Sequence, residues 1–281
     1  MSSGCRRRLL AGAGRLSGRY PCWKADYRRP RRLKAGAYNR KVYYLQVTEL
    51  LYVLDSYLRT FSARVVNVNS SDLILSHTAF YPGGGGQPCD TGQLAWPGGQ
   101  TDVTAVKREG SEIVHTVSGT VPAVGAEIQG TLDWNRRYAL MRTHTALHIL
   151  CGVIFRDFGS QVTGGNMEPL KARMDFELAQ LSPDFCQDVE ARVNREIEAA
   201  RMISVRVIPR EEAFQIPDLI RTKINLLPEG IPQVRTVNIE GLDLQADGGT
   251  HVANTREVGR IRVVGYENKG KINKRRRITL E

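Results

Sequence analysis

Between about residues 48 and 130 the apolar positions fall in short β-rich runs. Ala63-Arg-Val-Val-Asn-Val, Asp72-Leu-Ile-Leu, Asp102-Val-Thr-Ala-Val and Glu112-Ile-Val-His-Thr-Val are separated by Gly and Pro clusters. Many short strands joined by polar turns predict a small β-barrel or compact sheet domain. From about residue 131 the pattern changes. Tyr138-Ala-Leu-Met-Arg-Thr-His-Thr-Ala-Leu-His-Ile-Leu is an apolar run of helical character, with Asp133 as its N-cap and Gly159 as its stop. Ser182-Pro183 opens a second helix, a cap followed by an N1 proline, running to about Arg201. Ile203-Ser-Val-Arg-Val-Ile and Val234-Arg-Thr-Val-Asn-Ile read as strands. Arg260-Ile-Arg-Val-Val and Arg277-Ile-Thr-Leu form a hairpin around Asn268-Lys-Gly. The predicted fold class is α+β: a barrel over 48–130, then a two-layer α/β domain over 131–281, with two long helices on a mainly antiparallel sheet. No internal repeat is present.

Charge separates a third region from these two. The chain has 281 residues and a formal net charge of +11. Residues 1–47 alone carry +12, so the remaining 234 residues total −1. This Arg-, Gly- and Tyr-rich segment lacks a core pattern, whereas regular patterning starts abruptly at Thr48-Glu-Leu-Leu-Tyr-Val-Leu. It reads as a disordered basic extension: an organelle transit peptide, an RNA-binding arm, or sequence outside the domain proper. No apolar run approaches a membrane span. The five cysteines show no paired spacing, which fits a reducing, cytoplasmic setting.

Candidate chemistry is concentrated in two segments about a hundred residues apart. His144-Thr-Ala-Leu-His148 places two imidazoles one helical turn apart on one face. Asp247-Gly-Gly-Thr-His251 offers a second pair on a glycine-rich turn. Three of the five histidines lie in these segments, so His144, His148, Asp247 and His251 predict one metal centre, with Zn2+ the ion best suited to such ligands. Thr145 stands where a zinc protease would carry its catalytic Glu, which argues against that class of peptidase. His77 and His115 fall in barrel strands and read as structural or surface residues. Cys151 reads as apolar packing, so no nucleophile is apparent.

These motifs carry a family resemblance. Arg142-Thr-His-Thr-Ala-Leu-His-Ile-Leu resembles the helix that opens the editing domain of alanyl-tRNA synthetases. Gln245-Ala-Asp-Gly-Gly-Thr-His-Val-Ala-Asn-Thr-Arg-Glu-Val-Gly is similar to that domain's Cys-Gly-Gly-Thr-His segment. Gly159-Ser-Gln-Val and Ala172-Arg-Met-Asp-Phe match landmarks between them. Thr78-Ala-Phe-Tyr-Pro-Gly-Gly-Gly-Gly-Gln-Pro-Cys-Asp-Thr-Gly resembles the glycine-rich loop of the family's barrel. The likeness runs from about Thr48 to the C-terminus. With no room for an ATP-binding catalytic domain, it points to a free-standing alanyl-tRNA editing protein of medium length.

The resemblance implies a translation-factor-like barrel on a zinc-dependent editing domain, and a deacylase that removes serine, with glycine as a further substrate, from mischarged alanine tRNA. It carries metal roles onto His144, His148 and His251. Asp247 falls where many members have Cys, so its role as a ligand stays open. Gln161 and Thr163 lie where the family keeps polar pocket residues; the alternative for Thr163 is an ordinary strand threonine. Gly83–Gln87 is read as the pocket edge, against the alternative of a mobile turn. Two rival functions remain: a tRNA- or metal-binding module without catalysis, and a different zinc-dependent ester hydrolase.

If residues 1–47 stand outside the catalytic unit, a chain starting near Thr48 stays soluble and keeps its chemical step, as single-turnover assays would read. Lost catalysis at saturating substrate would disprove the boundary, whereas weaker tRNA binding confined to low salt would mark a basic arm.

Overall fold

A computed structural model describes residues 48–178, 182–222, 227, 230–268 and 273–281. The basic segment 1–47, expected to be a disordered extension, lies outside these residues, as does the turn of the C-terminal hairpin.

The first half begins with β1 (Glu49–Leu50), one turn of 3-10 helix (Leu51–Val53) and β2 (Thr60–Asn69). It continues through β3 (Asp72–Leu75), β4 (His77–Thr78), β5 (Gly92–Trp96), β6 (Gly99–Glu109), β7 (Glu112–Gly119) and β8 (Glu127–Leu132). Six of these close into a barrel in the order β2-β3-β7-β6-β5-β8, every pairing antiparallel. β1 and β4 form a short parallel pair beside it. Alternate residues point inward, so Phe61, Ala63, Val65, Leu94, Val103, Ile113, Val117, Ile128 and Leu132 fill one core.

β5 and β8 are absent from the sequence reading, and the packing explains why. A side chain at Gly92 would meet the Thr131 carbonyl at 2.1 Å, and one at Gly130 would meet the Phe61 ring at 2.4 Å. Close strand and ring approaches take glycine where an apolar residue would have announced a strand.

The second half starts with α1 (Trp134–Phe158), followed by β9 (Val162–Glu168) and β10 (Lys171–Glu177). Then come α2 (Pro183–Glu198), β11 (Ile203–Pro209), the single turn α3 (Arg210–Ala213), β12 (Gln233–Ile239), β13 (Asp243–Ala246), β14 (Ile261–Asn268) and β15 (Asn273–Leu280). Capping is as the sequence predicts. Asp133 accepts from the Arg136 amide and Gly159 closes α1 with φ +63°, while Ser182 caps α2 ahead of Pro183. The second helix ends at Glu198 rather than Arg201, because the chain turns at Ala200, where φ is +53°.

The strands form two antiparallel sheets, β14-β15-β10-β9 and β11-β12-β13. α1 and α2 lie on one face of the four-stranded sheet, against Ala172, Met174, Phe176, Ile278 and Leu280. The α+β class and the two long helices are therefore observed, with the predicted sheet divided in two.

From Thr143 to Ile154 every residue of α1 is buried, so this helix is covered all round. Its first turns meet the barrel through a fully buried ion pair. Arg137 Nε lies 3.1 and 2.9 Å from the two carboxylate oxygens of Asp90, and both side chains are 0% exposed. The same guanidinium donates to the Ser56 and Ala79 carbonyls, and Asp90 accepts from the Tyr81 amide. Breaking such a pair leaves a buried charge without its partner. Asp90→Ala is expected to lower unfolding stability by about 3–5 kcal/mol in denaturant titrations. Glu127→Ala, which removes the exposed Arg64 pair, is expected to cost less than about 1 kcal/mol.

Candidate metal centre

Two elements bring the predicted ligands together. α1 carries His144 and His148, and the turn after β13 carries Asp247 and His251. The four side chains offer ligand atoms that all lie within 4.8 Å of one another. Every Nε2 faces the same carboxylate: His144 at 3.5 Å and His148 at 3.9 Å from Asp247 Oδ1, and His251 at 3.0 Å from Oδ2. The three rings pack with centroids 4.3 to 5.1 Å apart.

The turn takes its shape from Asp247 and Gly249. The Gly249 amide donates to Asp247 Oδ2 at 2.7 Å. A Cβ on Gly249 would meet the His144 ring at 2.3 Å and Gln87 Oε1 at 2.6 Å, whereas one on Gly248 would meet nothing within 4 Å. Close approach thus demands the second glycine, a difference between Gly248 and Gly249 that the sequence alone does not show.

Two of the opposite ring nitrogens are hydrogen-bonded to neighbours and the third lies beside a carboxylate. His144 Nδ1 lies 2.9 Å from Gln87 Oε1, and His251 Nδ1 lies 3.2 Å from Thr145 Oγ1. His148 Nδ1 lies 3.3 Å from Asp243 Oδ2, with Arg221 Nε 3.5 Å from that carboxylate's other oxygen. Outer partners of this kind orient metal-bound imidazoles. No spacing rule in the sequence ties Gln87 to a helix 57 residues downstream, and Thr145 and Asp243 likewise meet these rings only through tertiary packing.

Electrostatics agree with the geometry. Burial pulls His144 down to about 4 and His251 well below its usual value, so both are neutral at pH 7. Burial also opposes charge on His148, but hydrogen bonding to Asp243 and Asp247 raises it to about 9. Burial opposes charge on Asp247 as well; the surrounding histidines outweigh it and hold the carboxylate well below its usual range. Two neutral imidazoles, a third that would give up its proton on coordination, and an ionised carboxylate make a donor set that fits a divalent cation. Arg235 completes the wall. Its Nη1 donates to the Asp247 carbonyl at 2.9 Å and its Nε to the Val53 carbonyl at 2.8 Å.

The remaining predicted residues fall outside this cluster. Gln161 and Thr163 are exposed, at the start of β9, and the Thr163 hydroxyl donates to Asn273 Oδ1 at 2.8 Å. Gly83–Gly86 all have positive φ, and the Met167 amide of β9 donates to the Gly86 carbonyl at 3.2 Å. This loop therefore spans from β9 to the histidines. His115 is buried against Thr78 and the Leu73 carbonyl, and His77 bonds Ser76 and the Ser62 carbonyl, both structural as expected. Cys151 sits in the apolar core, where burial raises its thiol far above the usual value. No helix among the described residues is long and apolar enough to cross a membrane.

Two family models match the chain: class II (A) tRNA synthetases over residues 24–136, and the second additional domain of threonyl and alanyl tRNA synthetases over 234–276. The first begins inside the basic segment, upstream of Thr48. The chain is 42% identical to an alanyl-tRNA editing protein AlaX-M of Saccharolobus solfataricus, covering 82% of this chain and 97% of that one. It is 37% identical to the AlaX-M of Methanosarcina acetivorans, over 83% and 99%. An alanine–tRNA ligase of Pyrobaculum neutrophilum matches at 36% identity over 81% of this chain but 26% of the ligase.

The geometry makes the centre testable by metal content. His148→Ala is expected to abolish stoichiometric metal binding in elemental analysis of the purified protein. Asp243→Asn, which keeps the shape but weakens the hold on His148, should loosen the metal by about 10–100-fold. Full metal occupancy and affinity in both variants would remove these residues from the site.

Proposed function

The chain belongs to the family of alanyl-tRNA editing proteins, and we propose that it deacylates alanine tRNA mischarged with serine, with Gly-tRNA(Ala) as a second substrate. The observation that carries this reading is the convergence of three imidazole Nε2 atoms on one carboxylate. The proposed ligands are His144, His148 and His251 with Asp247, and the proposed metal is zinc. An Asp oxygen in place of thiolate is a harder donor, so zinc is held less tightly than by a Cys-containing set.

An aminoacyl ester is already activated. Its hydrolysis needs a placed water and a stabilised oxyanion more than a strong nucleophile. Zinc, when bound, supplies a Lewis acid for polarising the ester and orienting water. The protein's own contribution is placement. Gln87, Thr145 and Asp243 flank the imidazoles, Gly249 lets the turn approach them, and His144 and His251, both neutral, would each offer one ring nitrogen to the ion.

Specificity requires sparing alanine, which is smaller than serine by one hydroxyl, so exclusion by size cannot work. A polar group that serine satisfies and alanine leaves unpaired supplies the difference. Thr163 is the proposed group, with Gln161 second. The Thr163 proton is committed to Asn273, which leaves its oxygen lone pairs for the seryl O–H. Thr163 lies on β9, the strand that the glycine loop bridges to His144.

Serine release from Ser-tRNA(Ala) should stop with a chelator and resume with added zinc, and uncharged alanine tRNA should compete. Binding without hydrolysis would favour a catalytically silent module; indifference to tRNA would favour a small-ester hydrolase. Thr163→Val is expected to narrow the Ser-over-Ala ratio by about tenfold, the scale of one hydrogen bond that bound substrate would shield from water, at unchanged metal content. An unchanged ratio would take Thr163 out of recognition.

A further inference from the structure

We propose that Gln87, on the glycine loop of the barrel, is a positioning residue for the metal centre, so that the barrel forms part of the site's ligand scaffold. This inference rests on the metal-dependent reading above and concerns which part of the molecule sets the ligand geometry.

Gln87 is 2% exposed, and its side-chain amide bridges both ligand-bearing segments. Its Oε1 accepts from the Thr250 amide at 3.0 Å, and its Nε2 donates to Thr250 Oγ1 at 2.8 Å. The backbone N–H of Thr250 is an obligate donor, so the atom facing it is the amide oxygen. That same oxygen lies 2.9 Å from His144 Nδ1. An oxygen has no proton to give, so Nδ1 must carry the hydrogen. With the hydrogen on Nδ1, the nitrogen that has a lone pair to offer a metal is Nε2. That lone pair faces Asp247 Oδ1 at 3.5 Å, acceptor against acceptor, an arrangement that a shared cation makes favourable.

The loop itself is built to hold this amide still. Gly84 and Gln87 exchange two backbone hydrogen bonds at 3.0 and 2.9 Å, and the Gly86 carbonyl is held by the Met167 amide. Gly86 fits against β9 with a positive φ of 87°, where an added Cβ would lie 3.2 Å from the Gly165 carbonyl. A side chain from the first half of the chain thereby fixes the tautomer of one ligand and the turn that carries two others.

The test uses the full chain and zinc alone as probe, titrated in competition with a chromogenic chelator. Gln87→Leu keeps the volume and removes the acceptor; zinc affinity should fall by about 10–100-fold. Gln87→Glu keeps an acceptor for both His144 and Thr250, and should bind zinc within about threefold of the parent or more tightly. Long-range 1H–15N spectra report the tautomer directly: the His144 Nδ1–H form should dominate in the parent and in Gln87→Glu, and lose dominance in Gln87→Leu. Thermal unfolding of the chelator-treated proteins separates loss of fold from loss of ligand control. If Gln87→Leu unfolds, Gln87→Asn, which keeps the amide but withdraws it by one methylene, takes its place with the same expected loss. Leu or Asn variants that fold and bind zinc like the parent would overturn the inference while leaving the editing reading intact. A parent that binds no zinc would overturn both.

Discussion

Burying α1 on every side is the constraint on which the other features depend. A helix covered all round from Thr143 to Ile154 has nowhere to turn its polar side chains except into other parts of the protein. Each unsatisfied one would cost free energy of the order of a lost hydrogen bond or more. The structure answers with a different partner for each. Arg137, just upstream of this stretch, meets Asp90 of the barrel, and Thr143 accepts from the Leu170 amide between β9 and β10. His144 meets Gln87, Thr145 meets His251 and the Val252 amide, and His148 meets Asp243. Satisfying the helix assembles the barrel, both sheets and the metal turn around it. Packing and site construction are the same event.

Those partners have unequal consequences. The Arg137–Asp90 pair is saturated internally, its donors shared among Asp90, Ser56 and Ala79, so it is structural. The outer shell bonds His144 and His251 at Nδ1 and sets Asp243 beside His148 Nδ1, while all three Nε2 atoms face one carboxylate. A polar group paired on one side and aimed at a common point on the other is what separates a ligand from a core histidine. His115 makes the contrast. It is equally buried, but both of its ring nitrogens have partners within the barrel.

Much of this could be read from residues alone, and the limits have physical causes. The four clustered side chains were legible because helical periodicity puts His144 and His148 on one face and a glycine turn permits a second pair. Caps at Asp133 and Ser182 were legible because capping is local. The supporting shell was not, since Gln87 and Asp243 reach the histidines through tertiary packing alone. β5 and β8 were hidden by glycines that packing requires, and β9 by Gly164 and Gly165 in its middle. Gln161 and Thr163 show the converse: a motif names them, yet they are exposed outside the cluster, and their role rests on substrate contact.

The hundred-residue gap between the two ligand pairs also has a meaning in time. A chain emerges from the ribosome N-terminus first, so the barrel loop and the histidine helix appear long before the turn that carries Asp247 and His251. Until then His144 and His148 form half of the clustered donor set. On the proposed reading, metal capture would wait until the turn after β13 is made, and a bound ion would then tie that turn to α1. Such an ion would act as a seal, since a copy that ends before Asp247 lacks two of the four clustered side chains.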